Sequence, residues 1–447
     1  MSAPEKAKVM SARRIALELL MRCERDRVYS NLVLDTAIRR HPLSDADRSL
    51  LTALVYGVLE TRLTLDYLLS HLCDRPLEKV DPETLILLRL GVYQLRFMDR
   101  IPPHAALNET VELAPRRTRG FVNAVLREYT RRASELPLPD REREPVRYLS
   151  VLYSFPEPLC ERFLSLFGPA RAERMLSAAN LVPPLTLRVN TRKTTVEALR
   201  DKLSAAGFAV SPGLHAPYAL RLPGGNPTEL PGFAEGEFFV QDEASQLCVE
   251  AVGIQNVPGS SLLVLDVCAC PGSKTFGLAI ELGERGTLRS FDLHQNKLSL
   301  IEAGAARLGL DNVSVAARDA RDYDGALDGQ ADVVLCDVPC SGFGVLSKKT
   351  EIRYKSLDDV SRLADIQLSI LDNACRYVRR GGVLLYSTCT VFPEENGDNV
   401  ARFLARHGEF KPLDFCAGDL RSQGGQLSLY PDEHSTDGFF MAKFTKE

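Results

Sequence analysis

The stretch VLDVCACPGSKT, residues 264–275, decides how the chain is read. An apolar run ends at Val267, a loop of small residues follows, and a helix is predicted to begin near Lys274. Small residues let a ligand approach the backbone, and a helix N-terminus offers free N–H groups. The spacing is neither that of a P-loop nor G-x-G-x-x-G. Working outward, further apolar runs stand at 287–291, 313–317, 333–336 and 383–386, besides 262–267 itself. Helical stretches such as 295–308 and 361–379 separate them. Buried strands alternating with helices predict a parallel sheet covered on both faces, with ligands beyond the carboxyl ends of its strands.

The polar motifs fall at those ends. Asp292, in SFDLHQNKL, follows the second strand, twenty residues past Gly272. An acid there suits a hold on ribose hydroxyls. Asp319, in AARDARDY, follows the third strand, where it can accept from an adenine amino group. Carboxylates without a lysine-rich cradle predict an adenosine cofactor carrying positive charge, and S-adenosylmethionine fits. The fourth strand ends in CDVPCSG, where Pro339 between Asp337 and Cys340 imposes a non-helical exit. A carboxylate at 337 can pair with a protonated ring nitrogen and its neighbouring amino group, the match that the Watson–Crick edge of cytosine presents. The fifth strand ends in YSTCT, so Cys389 joins Cys340 at the same edge.

Upstream, residues 1 to about 135 read as helices only. SARRIALELLMRCERD places Ile15, Leu19 and Met21 at helical spacing, Asp47 suits a cap, and Asp81-Pro82-Glu83 is a helix start. Residues 133–145 (ASELPLPDREREP) read as a linker. Beyond it, LTLRVNTRKTTVEALRDKLSAAG predicts strand, turn and helix, and EFFVQDEASQL strand then helix. The expected division is therefore an all-helical domain over 1–135, a small α+β domain over 146–255 and an α/β domain over 256–447.

The 447 residues carry a net charge of −4, but residues 1–140 are net positive by 3 and the remainder net negative by 7. Between Pro115 and Arg132 stand Arg116, Arg117, Arg119, Arg127, Arg131 and Arg132 against one acid, Glu128. This is either a solvated helix face or a phosphate-contacting patch. No apolar run approaches a bilayer span, and MSAPEKAKVMSARR lacks a signal-peptide core, so a cytoplasmic protein is expected. A monomer is the expected state, although these features do not bear on it. In a reducing compartment most of the eleven cysteines are expected to be buried thiols, Cys336 among them. Cys268-x-Cys270 and Cys336-x3-Cys340 lack the spacing of a zinc site, so no metal is expected.

In order, VLDVCACPGSKT, DVPCSG and STCTVFPEEN resemble the signature of the RNA cytosine-C5 methyltransferases of the Nol1/Nop2/Sun family. The resemblance runs from about residue 150 to 447, through LRVNTRKTTVEAL to the closing DGFFMAKF. HAALNETVELA and GFVNAVLREY resemble the NusB-like RNA-binding domain. The fusion is similar to the bacterial Sun/RsmB subgroup, which methylates small-subunit ribosomal RNA. The resemblance implies a Rossmann-like class I methyltransferase domain with a mostly parallel seven-stranded sheet. It places the cofactor loop at Cys268, Ala269, Cys270, Pro271, Gly272, Ser273 and Lys274, with Asp292, Asp319 and Asp337 also lining the site. It makes Cys389 the nucleophile and Cys340 its helper. In the mechanism that follows, Asp337 assisted by Lys274 is expected on the base, and Arg116, Arg117, Arg119 and Arg127 are the expected RNA contacts.

The sequence departs from the family pattern at two places. The loop usually reads C-A-A-P-G-G-K; here Cys270 replaces an alanine and Ser273 a glycine, tolerable unless position 273 requires φ > 0. P-D-I-[KR] appears as Thr350-Glu351-Ile352-Arg353. Two other readings stay open at this point: Cys340 as nucleophile, and an RNA-binding assembly factor without methyl transfer.

Overall fold

The computed structural model describes residues 10–26 and 30–447. Residues 1–9 of the N-terminal stretch read above for a signal peptide lie outside the described residues. Two compact units meet between Asn180 and Leu181.

The first unit is helical: α1 (Ala12–Asp26), α2 (Ser30–Arg40), α3 (Asp45–Glu60), α4 (Arg62–Ser70), α5 (Pro82–Phe97), α6 (Pro103–Leu113), α7 (Arg119–Arg132), α8 (Pro145–Tyr153) and α9 (Glu157–Ala178). α5 starts as expected. The Asp81 carboxylate accepts from Thr84 N at 3.1 Å, and Pro82 occupies the first turn. α3 differs: Ser44, not Asp47, is the cap. Its hydroxyl accepts from Asp47 N at 3.1 Å and donates to the Asp47 carboxylate at 2.7 Å. Asp47 thus closes a reciprocal pair one turn inside the helix. Leu51, Leu54, Leu65, Leu87, Val92 and Leu126 are wholly buried between the helices. α8 and α9, which sequence reasoning placed past the linker, belong to this unit. Thr64 Oγ1 donates to Val151 O at 2.6 Å and Leu63 N to Ser154 Oγ at 3.0 Å, which ties α8 to α4.

The second unit opens with four antiparallel strands in the order β2-β3-β1-β4: β1 (Leu185–Val189), β2 (Ser211–Pro212), β3 (Ala219–Leu222) and β4 (Phe238–Val240). α10 (Val196–Ala205) is capped by Thr195, and α11 (Glu243–Val252) by Asp242. Both strand–helix expectations hold. The main sheet contains β5 (Leu262–Asp266), β6 (Gly286–Asp292), β7 (Val313–Ala317), β8 (Ala331–Asp337), β9 (Val378–Thr388) and β10 (Phe410–Pro412). A hairpin of β11 (Cys416–Ala417) and β12 (Leu420–Arg421) precedes β13 (Gln426–Leu429) and β14 (Phe439–Lys446). Seven strands run in the order β10-β14-β9-β8-β5-β6-β7, and β13 adds an eighth by pairing with β14. The pairings from β9 to β7 are parallel; those of β14 are antiparallel.

Alternation along the strands sorts side chains to two faces. Val264, Val333, Leu335 and Met441 pack in one core with residues of α11, α12 (Ser273–Leu282) and α13 (Leu298–Leu308). Leu265, Val334, Tyr386 and Phe444 pack in the other with α14 (Asp359–Tyr377) and α15 (Gly397–Arg406). A sheet covered on both faces leaves its strand ends as the accessible edge.

Candidate active site

β5 carries the chain to Asp266, which is wholly buried; Thr275 Oγ1 donates to it at 2.7 Å. Burial pushes this carboxyl up to about 7. The loop then turns at Gly272, whose φ of +109° is the left-handed value, and α12 begins at Ser273. The strained position is therefore 272, where glycine is retained, and Ser273 has helical geometry free of the φ > 0 requirement. A Cβ at 272 would stand 2.7 Å from the Phe276 ring, so close packing also demands glycine.

A cleft of about 590 Å³ opens at the carboxyl ends of β5 to β9. Its lining brings together Cys270, Asp292, Asp319, Asp337, Cys340 and Cys389, with Cys268 beside them. Asp292 accepts from Cys270 N and His294 N, each at 3.0 Å, which fixes its carboxylate toward the loop. Asp319 is held by the Arg321 guanidinium, whose hydrogen bond lowers its pKa and keeps it ionised. Ala269, Pro271, Gly272 and Ser273 shape the loop without lining the cleft. Lys274 acts at one remove. Its Nζ donates to Asp337 Oδ2 at 2.7 Å, and Ser387 Oγ donates to Oδ1 at 2.8 Å. Burial is the largest influence on Lys274 and opposes its charge, but the Asp337 carboxylate together with Cys248 and Cys389 turns the net shift upward.

The two thiols meet. Cys340 Sγ lies 3.1 Å from Cys389 Sγ, and Cys389 N donates to Cys340 Sγ at 3.3 Å. They titrate unequally. The hydrogen bond from Cys340 lowers the Cys389 pKa below the ordinary thiol range against the effect of burial, while the same bond together with burial raises Cys340. Cys268 and Cys336 are raised by burial, and Cys270 is pushed up to about 11 by burial and then by Asp292. Only the Cys389 thiol in this cleft is shifted toward its anion.

Residues 256–445 match the 16S rRNA methyltransferase RsmB/F family, 155–229 its ferredoxin-like domain and 10–131 the NusB family. A Bacillus subtilis protein named "Probable ribosomal RNA small subunit methyltransferase B" is 38% identical over 98% of this chain and 100% of its own. The chain belongs to the RsmB/F family. Another relative, the ribosomal RNA small subunit methyltransferase B of Sodalis glossinidius, is 36% identical over 91% of each chain. Among solved structures, PH0851 superposes over all of both chains with a TM-score of 0.79 at 27% identity. A methyltransferase homologue from Pyrococcus horikoshii gives 0.57 at 28% over 67% of this chain and 98% of its own. The fold is that of the family: a NusB domain, a ferredoxin-like domain and a Rossmann-like methyltransferase domain. Its cofactor is S-adenosylmethionine. The donor set fits: three carboxylates around the cleft suit a sulfonium cation and an adenosine, and the glycine turn leaves the loop backbone open.

Sequence reasoning missed Glu395 of this RsmB/F chain, although it stands inside the motif FPEEN. Glu395 is fully buried, and its carboxylate accepts from Ser341 N and Gln367 Nε2, each at 2.8 Å, and from Ser341 Oγ at 2.5 Å. It ties the loop after β9 to the residue following Cys340. Gly344 closes the same corner: its N donates to Cys389 O at 3.0 Å, and a Cβ there would collide with the Gly438 carbonyl. The altered segment Thr350–Arg353 forms part of a short 3-10 helix, and Ile352 lines the cleft.

The arginine patch lies on and before α7. Arg117 pairs with Asp81 at 3.2 Å, Arg119 donates to the carbonyls of Glu112 and Ala114, and Arg127 to Asn123 Oδ1. These contacts are solvent-facing, and that of Arg117 reaches back 36 residues to Asp81, so each of the three guanidinium groups retains free donors. Among the described residues no helix is long and apolar enough to cross a membrane, and no cluster of three metal-ligating side chains occurs.

Proposed function

We propose that this protein methylates C5 of a cytosine in small-subunit ribosomal RNA through a covalent Cys389–C6 adduct, acting in the cytoplasm. Membership of the RsmB/F family supports RNA methylation, and the relatives' names support the ribosomal substrate. The observation that carries the chemistry is the unequal thiol pair beside Asp337.

Cytosine C5 is a weak nucleophile, so the ring needs activation. The Cys389 thiolate adds to C6, forming a C–S bond and moving the C5–C6 π pair toward C5. Asp337, held by Lys274 and Ser387, is the candidate to accept from the Watson–Crick edge once N3 has taken up a proton, which draws charge from C6 toward N3 and is released again at the end of the reaction. S-adenosylmethionine, when bound, would supply an electrophilic methyl group on its sulfonium; C5 would take it as the S–CH3 bond breaks and the electron pair stays on the sulfur of the S-adenosylhomocysteine product. A base then removes the C5 proton, the C5–C6 double bond re-forms and the Cys389–C6 bond breaks. The Cys340 thiol, 3.1 Å from the leaving sulfur, is the candidate proton donor and acceptor for that step. The target nucleotide must stand in a loop or be turned out of its helix.

The two readings differ in which thiol of the pair carries the anion; either sulfur could donate in the bond between them, and the downward shift of the Cys389 pKa supports Cys389. The experiment is incubation of the Cys389→Ala and Cys340→Ala variants with 16S RNA and labelled cofactor. Cys389→Ala is expected to lose methyl transfer, and Cys340→Ala to hold RNA as an adduct on denaturing gels. Full activity of Cys389→Ala would reject the assignment.

A further inference from the structure

β8 and β9 are neighbouring parallel strands, in register at Asp337 and Ser387. The ladder ends with Val338 N donating to Ser387 O at 3.1 Å, and Cys340 and Cys389 stand two residues beyond that bond on either side. Adjacent strands run about 4.8 Å apart, within the roughly 4.4–6.8 Å that separates the Cα atoms of a disulfide, so residues just past two such strand ends start near bridging distance. The side chains complete the approach. Cys389 N donates to Cys340 Sγ at 3.3 Å, and the sulfurs are 3.1 Å apart. A bond between them requires the sulfurs to close by only about 1 Å.

The surrounding contacts hold this pairing in place. Glu395 accepts from Ser341 N, next to Cys340, at 2.8 Å, and Gly344 N donates to Cys389 O at 3.0 Å. Both thiols line the open cleft, where a small solute can reach them. Cysteines elsewhere differ. Burial pushes Cys160, Cys248 and Cys375 up to about 12, and Cys416 is exposed. Cys389 is shifted the other way, first by its hydrogen bond with Cys340. The thiolate is the form that peroxides oxidise, and a neighbouring thiol makes that oxidation reversible by capturing the sulfenic acid.

We propose that Cys389 and Cys340 are also an oxidative modification site, at which a hydroperoxide converts the pair to an intramolecular disulfide that a dithiol reverses. The Cys389 sulfur attacks one oxygen of hydrogen peroxide. The S–O bond forms, the O–O bond breaks, and the departing hydroxide takes a proton from solvent to become water. The Cys340 sulfur then displaces hydroxide from the sulfenic acid. The S–S bond forms, the S–O bond breaks, and the hydroxide leaves with the Cys340 proton as a second water. Two electrons pass from the sulfurs to the peroxide. A dithiol returns them by exchange and is itself oxidised to a disulfide. The oxidised pair offers no nucleophile for methyl transfer, a consequence that rests on the function proposed above. In a reducing compartment the bond is transient.

The test treats the full-length protein, reduced and then freed of reductant, with hydrogen peroxide in the absence of RNA. Remaining thiols are alkylated, and unreduced peptides are mapped by mass spectrometry. The peptides carrying Cys340 and Cys389 are expected to be joined, lighter than their sum by two hydrogens. Methyl transfer to 16S RNA is expected to fall at least about tenfold and to return with dithiothreitol. Cys416→Ser, which removes the exposed thiol, is expected to behave as the wild type. Cys340→Ala is expected to trap a dimedone-reactive sulfenic acid on Cys389 that proceeds to sulfinic acid, which dithiothreitol does not reverse. A wild-type protein whose Cys389 stays reduced, accumulates sulfenic or sulfinic acid, or joins a cysteine other than Cys340 would overturn the proposal. Joined peptides with undiminished methyl transfer would support the modification site and count against Cys389 as the nucleophile, so the two readings fail separately.

Discussion

Replacing Glu395 by alanine tests whether the architecture of the thiol pair rests on one buried carboxylate. The side chain accepts three hydrogen bonds, from Ser341 N, Ser341 Oγ and Gln367 Nε2. Two of these donors have alternatives: Ser341 Oγ also reaches Thr390 Oγ1 at 3.0 Å, and Gln367 Nε2 also donates to Pro339 O at 3.0 Å. The Ser341 N–H has none and is left orphaned in a dry site, at a cost of about 1–3 kcal/mol. The lost methylenes and the weakened second bonds add about 1–2 kcal/mol. The sum, about 3 kcal/mol, corresponds to a fall in Tm of roughly 6–12 °C for a unit of this size. Glu395→Gln keeps an oxygen for Ser341 N and Gln367 and lets Ser341 Oγ turn to accept. It should cost only about 1 kcal/mol, the charge-assisted part. Scanning calorimetry of the three proteins gives the order, and gel analysis of trapped RNA adduct gives the functional counterpart. Because Ser341 follows Cys340, the alanine variant should also release its adduct more slowly. If Glu395→Ala unfolds within a degree of the wild type and turns over normally, the carboxylate does not hold this loop.

The remaining predictions concern charge. The kcat/KM of methyl transfer should rise with pH through an inflection below the ordinary thiol value of about 8.5. Cys340→Ala removes the hydrogen bond that stabilises the Cys389 thiolate, so single-turnover adduct formation should show that inflection at higher pH; an unmoved inflection would assign it to another group. Asp266 titrates near 7 in the folded protein against about 3.9 unfolded, so folding favours its protonated form. That contribution is present in full below pH 4 and is lost as pH rises through 7, an effect of up to about 4 kcal/mol. Asp266→Asn should flatten part of the decline in urea-measured stability between pH 5 and 8, leaving the part from Asp437, which burial also raises to about 7. Neutralising Arg116, Arg117 and Arg119 together should weaken RNA binding and reduce the slope of log K against log salt by about 2, at roughly 0.7 per phosphate contact. An unchanged slope would return them to the solvated-face reading.

Much of this was legible because it is periodic or local. Five parallel strands announced themselves as apolar runs between helices, and each polar motif followed one of them. The Asp81 cap is a three-residue signal. What escaped depends on distance along the chain or on geometry that a motif does not encode. β14 is an edge-side antiparallel strand whose apolar run is broken by Lys443, so it reads less clearly than the central strands. Glu395 acts on Ser341, 54 positions away, and on Gln367 from α14, so its motif shows a carboxylate but no partner. The attachment of α8 to α4 rests on two hydrogen bonds spanning about ninety residues. Ser273 shows the reverse case, in which the structure moves the backbone constraint one residue back, to Gly272, and removes the objection.

The central claim is a methyl group on C5 of a cytosine, and one measurement addresses it directly. The purified protein is incubated with unmodified 16S RNA and methyl-labelled S-adenosylmethionine, the RNA is digested to nucleosides, and the labelled nucleoside is identified by mass spectrometry against standards. The account predicts label in 5-methylcytidine alone, and none with Cys389→Ala. Label in a methylated base other than 5-methylcytidine, or 5-methylcytidine formed at the wild-type rate by Cys389→Ala, would contradict it.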